Sequence, residues 1–151
     1  MPKNITKISK NTKETEKIAK IFLGEILKKG NSKQGALVVG LKGDLGAGKT
    51  TFFQSVAKNL GIKDKVISPT FVIMKKYSLK NKKYDFVFHL DAYRLKNEKE
   101  LLNLGWEEII KNNKHLVFIE WPENVEKIIP SYPKFVHIFD DKNNHKHFKL
   151  K

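Results

Sequence analysis

Ala36-Leu37-Val38-Val39-Gly40-Leu41-Lys42-Gly43-Asp44-Leu45-Gly46-Ala47-Gly48-Lys49-Thr50-Thr51-Phe52-Phe53 is the stretch that decides the fold. Its first third, residues 36–41, is a short unbroken apolar run, the pattern of a strand buried on both faces in a parallel sheet. Its last third opens a helix. Phe52, Phe53, Val56, Ala57 and Leu60 recur on one face up to Gly61, a helix stop. Between them Gly43 to Thr50 spell G-x-x-x-x-G-K-T. Such a loop turns successive backbone N–H groups inward around an anion, and the helix behind it adds the positive end of its dipole. Asp44, Leu45, Gly46, Ala47, Gly48, Lys49, Thr50 and Thr51 are therefore the candidate nucleotide-binding residues. Lys49 suits the β- and γ-phosphates, Thr51 the α-phosphate, and the Thr50 hydroxyl suits Mg²⁺, which prefers oxygen.

On the N-terminal side, residues 1–10 read as an edge strand or tail. Asn11 or Thr12 can cap a helix running to about Lys29, with Ile18, Phe22 and Ile26 on one face and Gly30 as its stop. On the C-terminal side, Phe71 to Leu79 and Tyr84 to Leu90 predict two strands joined through Lys80-Asn81-Lys82-Lys83. Glu98 to Leu104 predicts a short helix that breaks at Gly105 and resumes to Ile110. His115 to Ile119 predicts a second buried strand, and Pro122 a short helix start. Phe135 to Phe139 and His145 to Leu150 predict a terminal hairpin across Asn143-Asn144. The expected fold is α/β, a three-layer arrangement of the P-loop NTPase kind. Its mixed sheet is parallel at the centre and carries antiparallel edge hairpins, in one domain over residues 1–151.

A phosphate loop needs a second acidic group, supplied as a rule from the carboxyl end of a neighbouring strand. Glu120 holds that place after Leu116-Val117-Phe118-Ile119 and is the candidate partner of Thr50 at magnesium. Asp91, after Val87-Phe88-His89-Leu90, either contacts metal-bound water, orients the nucleophile or holds a loop, or is a cap or a salt-bridge partner of Arg94. Arg94 is the only arginine among 30 basic residues. It is either a transition-state stabiliser in cis or a structural ion-pair partner. Ser68-Pro69-Thr70-Phe71 is either a loop whose Thr70 senses the γ-phosphate or a turn fixed by Pro69. Trp121 either anchors the core or faces the nucleotide or a partner, and Trp106 reads as packing. The five histidines show no catalytic arrangement, and His145-x-His147 reads as a solvated pair.

Composition bounds the rest. Net charge is +14, which suits a polyanionic partner such as tRNA but equally suits a lysine-inflated, AT-rich coding sequence. No run of about 18 apolar residues spans a membrane. The N-terminus lacks the apolar core of a signal peptide, and the absence of cysteine agrees with a cytoplasmic location.

Four motifs in order carry a resemblance: Gly43 to Phe52, Ser68-Pro69-Thr70-Phe71, His89-Leu90-Asp91-Ala92-Tyr93-Arg94-Leu95, and Ile119-Glu120-Trp121-Pro122. Over about residues 10 to 130 the chain resembles the TsaE (YjeE) family of bacterial P-loop ATPases. The resemblance implies an ATP- and Mg²⁺-dependent hydrolase that acts with the TsaD and TsaB proteins. Together they form N6-threonylcarbamoyladenosine at position 37 of tRNAs reading codons that begin with A. It implies phosphate binding by Lys49, magnesium binding by Thr50 and Glu120, and functional roles for Thr70, Asp91 and Trp121. The residues from about Tyr132 onward match no motif. Two other classes remain open: a small-molecule P-loop kinase, which usually clamps charge with several arginines, and a nucleic-acid-binding module that happens to carry a P-loop.

Overall fold

The computed structural model describes residues 4–28, 35–69, 72–80, 83–130 and 134–151. Among these residues seven strands form one sheet: β1 (Ile5–Ser9), β2 (Leu37–Lys42), β3 (Met74–Ser78), β4 (Phe86–Asp91), β5 (His115–Glu120), β6 (Lys134–Asp140) and β7 (Lys146–Leu150). Their order across the sheet is β1-β7-β6-β2-β5-β4-β3. The pairs β6·β2, β2·β5 and β5·β4 are parallel, whereas β7, β1 and β3 join antiparallel at the two edges.

Strand alternation divides the core between two layers. Val39 and Leu41 of β2, Leu116 and Phe118 of β5 and Val87 of β4 pack against α1 (Thr12–Leu27) and α2 (Lys49–Asn59). Val38, Val117, Ile119, Phe88 and Leu90 face the other way, against α3 (Lys99–Asn103), α4 (Trp106–Lys111) and a 3-10 helix over Pro122–Ile128. The continuous apolar runs of β2 and β5 follow from this burial on both faces. Asn11 caps α1, its side chain accepting from the Glu14 N–H at 2.9 Å. Trp106 is fully buried, and its indole N–H donates to the Ile128 carbonyl at 2.9 Å. Among the described residues no helix is long and apolar enough to cross a membrane.

Two expectations shift. The strand expected from Phe71 begins at Met74, because the Pro69 carbonyl accepts from the N–H groups of both Val72 and Ile73 and turns the chain first. Ile73 sits at φ 68°, outside strand geometry. Helix α1 ends at Leu27. Gly30, Thr70, Phe71, Asn81, Lys82 and Tyr132 lie outside the described residues.

Candidate functional site

Sheet order builds the site. Because β2, β5 and β4 are neighbours, their carboxyl ends lie side by side, and those ends are the loop from Gly43, Glu120 and Asp91. A parallel sheet opens its ligand crevice at this edge. Two of the loop's glycines show why its course needs that residue. A Cβ on Gly43 would stand 2.6 Å from the Ile138 carbonyl oxygen, and Gly48 enters α2 at φ 105°, where a side chain would be strained.

Leu45, Gly46, Gly48, Lys49, Thr50, Thr51, Asp91, Tyr93, Arg94, Glu120 and Trp121 line one cleft of about 410 Å³. The side chains of Asp44 and Ala47 do not line it. Asp44 is exposed and lends its carbonyl to Lys49, and Ala47 packs into the core. The Lys49 ammonium is folded back over its own loop. It donates to the carbonyls of Gly43 and Asp44 and lies 4.3 Å from the centre of the Trp121 ring. Burial pushes this ammonium below its ordinary pKa, and the charges of Glu120, Asp91, Glu123 and Asp44 pull the other way. An entering polyphosphate would replace two neutral carbonyls with full negative charge, so the lysine gains by turning toward it.

Thr50 and Glu120 meet although 70 residues separate them: the Thr50 hydroxyl donates to Glu120 Oε2 at 2.9 Å. Glu120 is 4% exposed, so its carboxylate depends on protein donors. His89 supplies the second one, its Nε2 lying 2.6 Å from the same Oε2. Spacing along the chain shows no catalytic arrangement of histidines, but the sheet brings His89 against Glu120. The cause is strand parity. His89 and Glu120 both point to the α2 face of adjacent strands, two register steps apart. The His89 ring is fully buried and stacks on Phe53 at 4.0 Å between centres. Phe53 and Thr50 stand three residues apart on α2, so one helix face holds both the ring and the hydroxyl. Counting back two residues from Asp91 would have found His89 on this face.

Asp91 accepts from the Tyr93 N–H at 2.9 Å, which makes the carboxylate the cap of the turn that carries Arg94 to the cleft rim. Trp121 adopts φ 59°, is half-buried, and lies 5.1 Å from the Tyr93 ring. It thus faces the cleft. The histidines of the terminal hairpin are not simply solvated either. His147 Nε2 lies 2.9 Å from Asp141 Oδ2 and His145 Nδ1 lies 3.8 Å from it. The His147 contact holds the Asp141 carboxyl down to about 2.

No cluster of three or more His, Cys, Asp or Glu among the described residues is arranged to hold a metal alone. One hydroxyl and one carboxylate at the mouth of a phosphate loop fit instead a hard cation that takes its remaining ligands from phosphate and water, as Mg²⁺ does.

The family model described as "Threonylcarbamoyl adenosine biosynthesis protein TsaE" matches residues 9–148, which carries the likeness through the terminal hairpin as well. Curated relatives named "tRNA threonylcarbamoyladenosine biosynthesis protein TsaE" include those of Rickettsia felis and Bacillus subtilis. The first is 38% identical over 123 residues, covering 81% of this chain and 65% of the relative. The second is 38% identical over 120 residues, covering 80% and 68%. The chain thus spans a little under two thirds of the Rickettsia felis protein. Among solved structures, that of Bacillus subtilis YdiB superposes with a TM-score of 0.74 at 28% identity, covering 99% of this chain and 86% of that one. With its G-x-x-x-x-G-K-T loop, its strand-end glutamate and a family match across nearly its whole length, the chain belongs to the TsaE family.

Proposed function

We propose that this chain binds ATP with magnesium and hydrolyses it as one component of the machinery that forms N6-threonylcarbamoyladenosine at position 37 of tRNAs reading codons that begin with A. In this reading it acts with the TsaD and TsaB proteins, which implies a cytoplasmic location beside tRNA. The relatives' name supports the pathway. The observation that carries the ATPase reading is the 2.9 Å contact between Thr50 and Glu120 at the end of the phosphate loop.

Loop amides from about Leu45 to Thr51 and the Lys49 ammonium would bind the triphosphate. Thr50 and Glu120 would hold magnesium, which neutralises phosphate charge. Glu120, fixed by His89, orients water toward the γ-phosphorus. The water oxygen bonds to the γ-phosphorus as the bond to the bridging oxygen breaks, the water's proton passes to the phosphate being released, and ADP leaves with its charge held by the loop. The cleft is open on the side of Leu45 and Tyr93, which are 66% and 41% exposed. An open site admits bulk water and orders the reactants poorly, so turnover by the chain alone should be slow and should rise when partners cover the rim.

The test is phosphate release from ATP by the chain alone and with matched TsaD and TsaB proteins, in parallel with tRNA modification. Release that rises with partners, and modification that requires the chain, are expected. A fast rate independent of partners would refute the assembly role, and a phosphorylated small-molecule acceptor would establish the kinase alternative.

A further inference from the structure

Outside the motifs, one side chain reaches the phosphate loop from 99 residues away. Lys146, the first residue of β7, donates from its Nζ to the Ala47 carbonyl at 2.9 Å. The same ammonium is held by Asp140 Oδ1 at 3.1 Å, directly across the hairpin. Its stem lies against the loop, with Cε 3.4 Å and Cδ 3.6 Å from where a Cβ on Gly48 would stand.

The consequence concerns the peptide joining Ala47 to Gly48. All described peptide bonds are trans, so the Gly48 N–H points opposite to the Ala47 carbonyl. With the carbonyl held on Lys146, that N–H is fixed on the opposite side of the peptide, and Gly48 itself lines the first cleft. The loop alone secures this poorly. The Ala47 N–H is bonded to the Asp44 carbonyl, but Gly48 can rotate about φ at little cost, which lets the 47–48 peptide flip. An external anchor on one face of that peptide removes the flipped state.

We propose that Lys146 is a positioning residue of the phosphate cradle, its Asp140-braced ammonium fixing the Ala47–Gly48 peptide so that the Gly48 amide is aimed at a bound polyphosphate. This rests on the nucleotide reading above. The stem also walls a second cleft that shares Gly48 and Thr51 with the first, so an effect on a nucleoside must be separated from an effect on phosphate.

Lys146→Met keeps the stem and removes the ammonium. Affinity should be measured by calorimetry for magnesium tripolyphosphate, which has no nucleoside, and for magnesium ATP. Both should weaken by the same factor, about tenfold, the worth of one charge-assisted hydrogen bond. The displacement of the Gly48 amide signal by tripolyphosphate, read in ¹H–¹⁵N spectra, should shrink in the same variant. Lys146→Arg, which keeps a cation in reach, should restore both within about threefold. Should Lys146→Met fail to fold, Lys146→Arg carries the test, and a tenfold loss there would overturn the proposal. Unchanged tripolyphosphate binding by Lys146→Met, or a loss confined to ATP, would also overturn it and leave the nucleotide reading intact. Failure of the unsubstituted chain to bind either ligand would overturn both.

Discussion

The parallel centre of the sheet and its terminal hairpin serve the same cleft in different ways. In the centre, β2, β5 and β4 each end on a functional group, and the three groups are adjacent because the strands are adjacent and point the same way. In the terminal hairpin β6 ends at that same edge, parallel to β2, but β7 runs antiparallel to it and begins there, so Lys146 enters from the amino end of a strand. The hairpin reaches the loop by backbone proximity, with Ile138 beside Gly43, and by one long side chain, Lys146. Chemistry concentrates where parallel strands end together. Antiparallel edges contribute support, and that support is individual and carries no motif.

The largest effect that could break this contrast is expected at Lys49. Lys49→Ala removes the only cation within the loop and should lower affinity for magnesium ATP by about a hundredfold or more, the cost of losing a charged pair to phosphate. Calorimetric binding within a few-fold of the unsubstituted chain would remove the centre from the site. Next come the carboxylate and its support. Glu120→Ala should keep ATP affinity within about tenfold yet lower turnover by roughly 10²–10³. His89→Leu leaves Glu120 with one donor in a buried setting. It should cost about 1–3 kcal/mol of stability by chemical denaturation and reduce kcat more than it raises KM. His89→Gln, which keeps an N–H near Nε2, should recover part of kcat. Equal turnover in all three would move the catalytic carboxylate elsewhere, with Asp91 the next residue to substitute.

The smallest effect belongs to the hairpin. Asp141 titrates at about 2, below its ordinary 3.8, first because His147 is hydrogen-bonded to it. A depressed carboxyl stabilises the fold above its unfolded pKa, and that contribution is lost as pH falls through the folded value. Stability should therefore decline between about pH 4 and 2, and His147→Gln should flatten that decline while leaving ATP binding unchanged. A change in ATP affinity in this variant would mean that the hairpin touches the site by more than Lys146 and Ile138.

The strand–loop–helix unit of residues 36–60 was legible because each of its signals is local: glycine spacing, an apolar run, and a helical face that begins at once. Glu120 was legible for a similar reason, since a carboxylate closing a buried strand is conspicuous in one dimension. His89 was missed although the information lay two residues from Asp91, because period-2 alternation says which face a residue takes but not which helix covers that face. Lys146 left no trace at all in the sequence, where it is one lysine among many.

By itself, then, the chain's sequence determined most of its elements, the Asn11 cap, the break at Gly105 and the composition of the glycine-rich loop, since these follow from backbone preference and short-range periodicity. The tertiary structure alone decided that β5 lies between β2 and β4, so that Thr50 and Glu120 touch. It also decided that His89 stands behind Glu120 and that Lys146 holds Ala47 across 99 residues. The reason is that strand order and hairpin placement minimise exposed apolar surface over the whole sheet, a global quantity that no short window of residues contains.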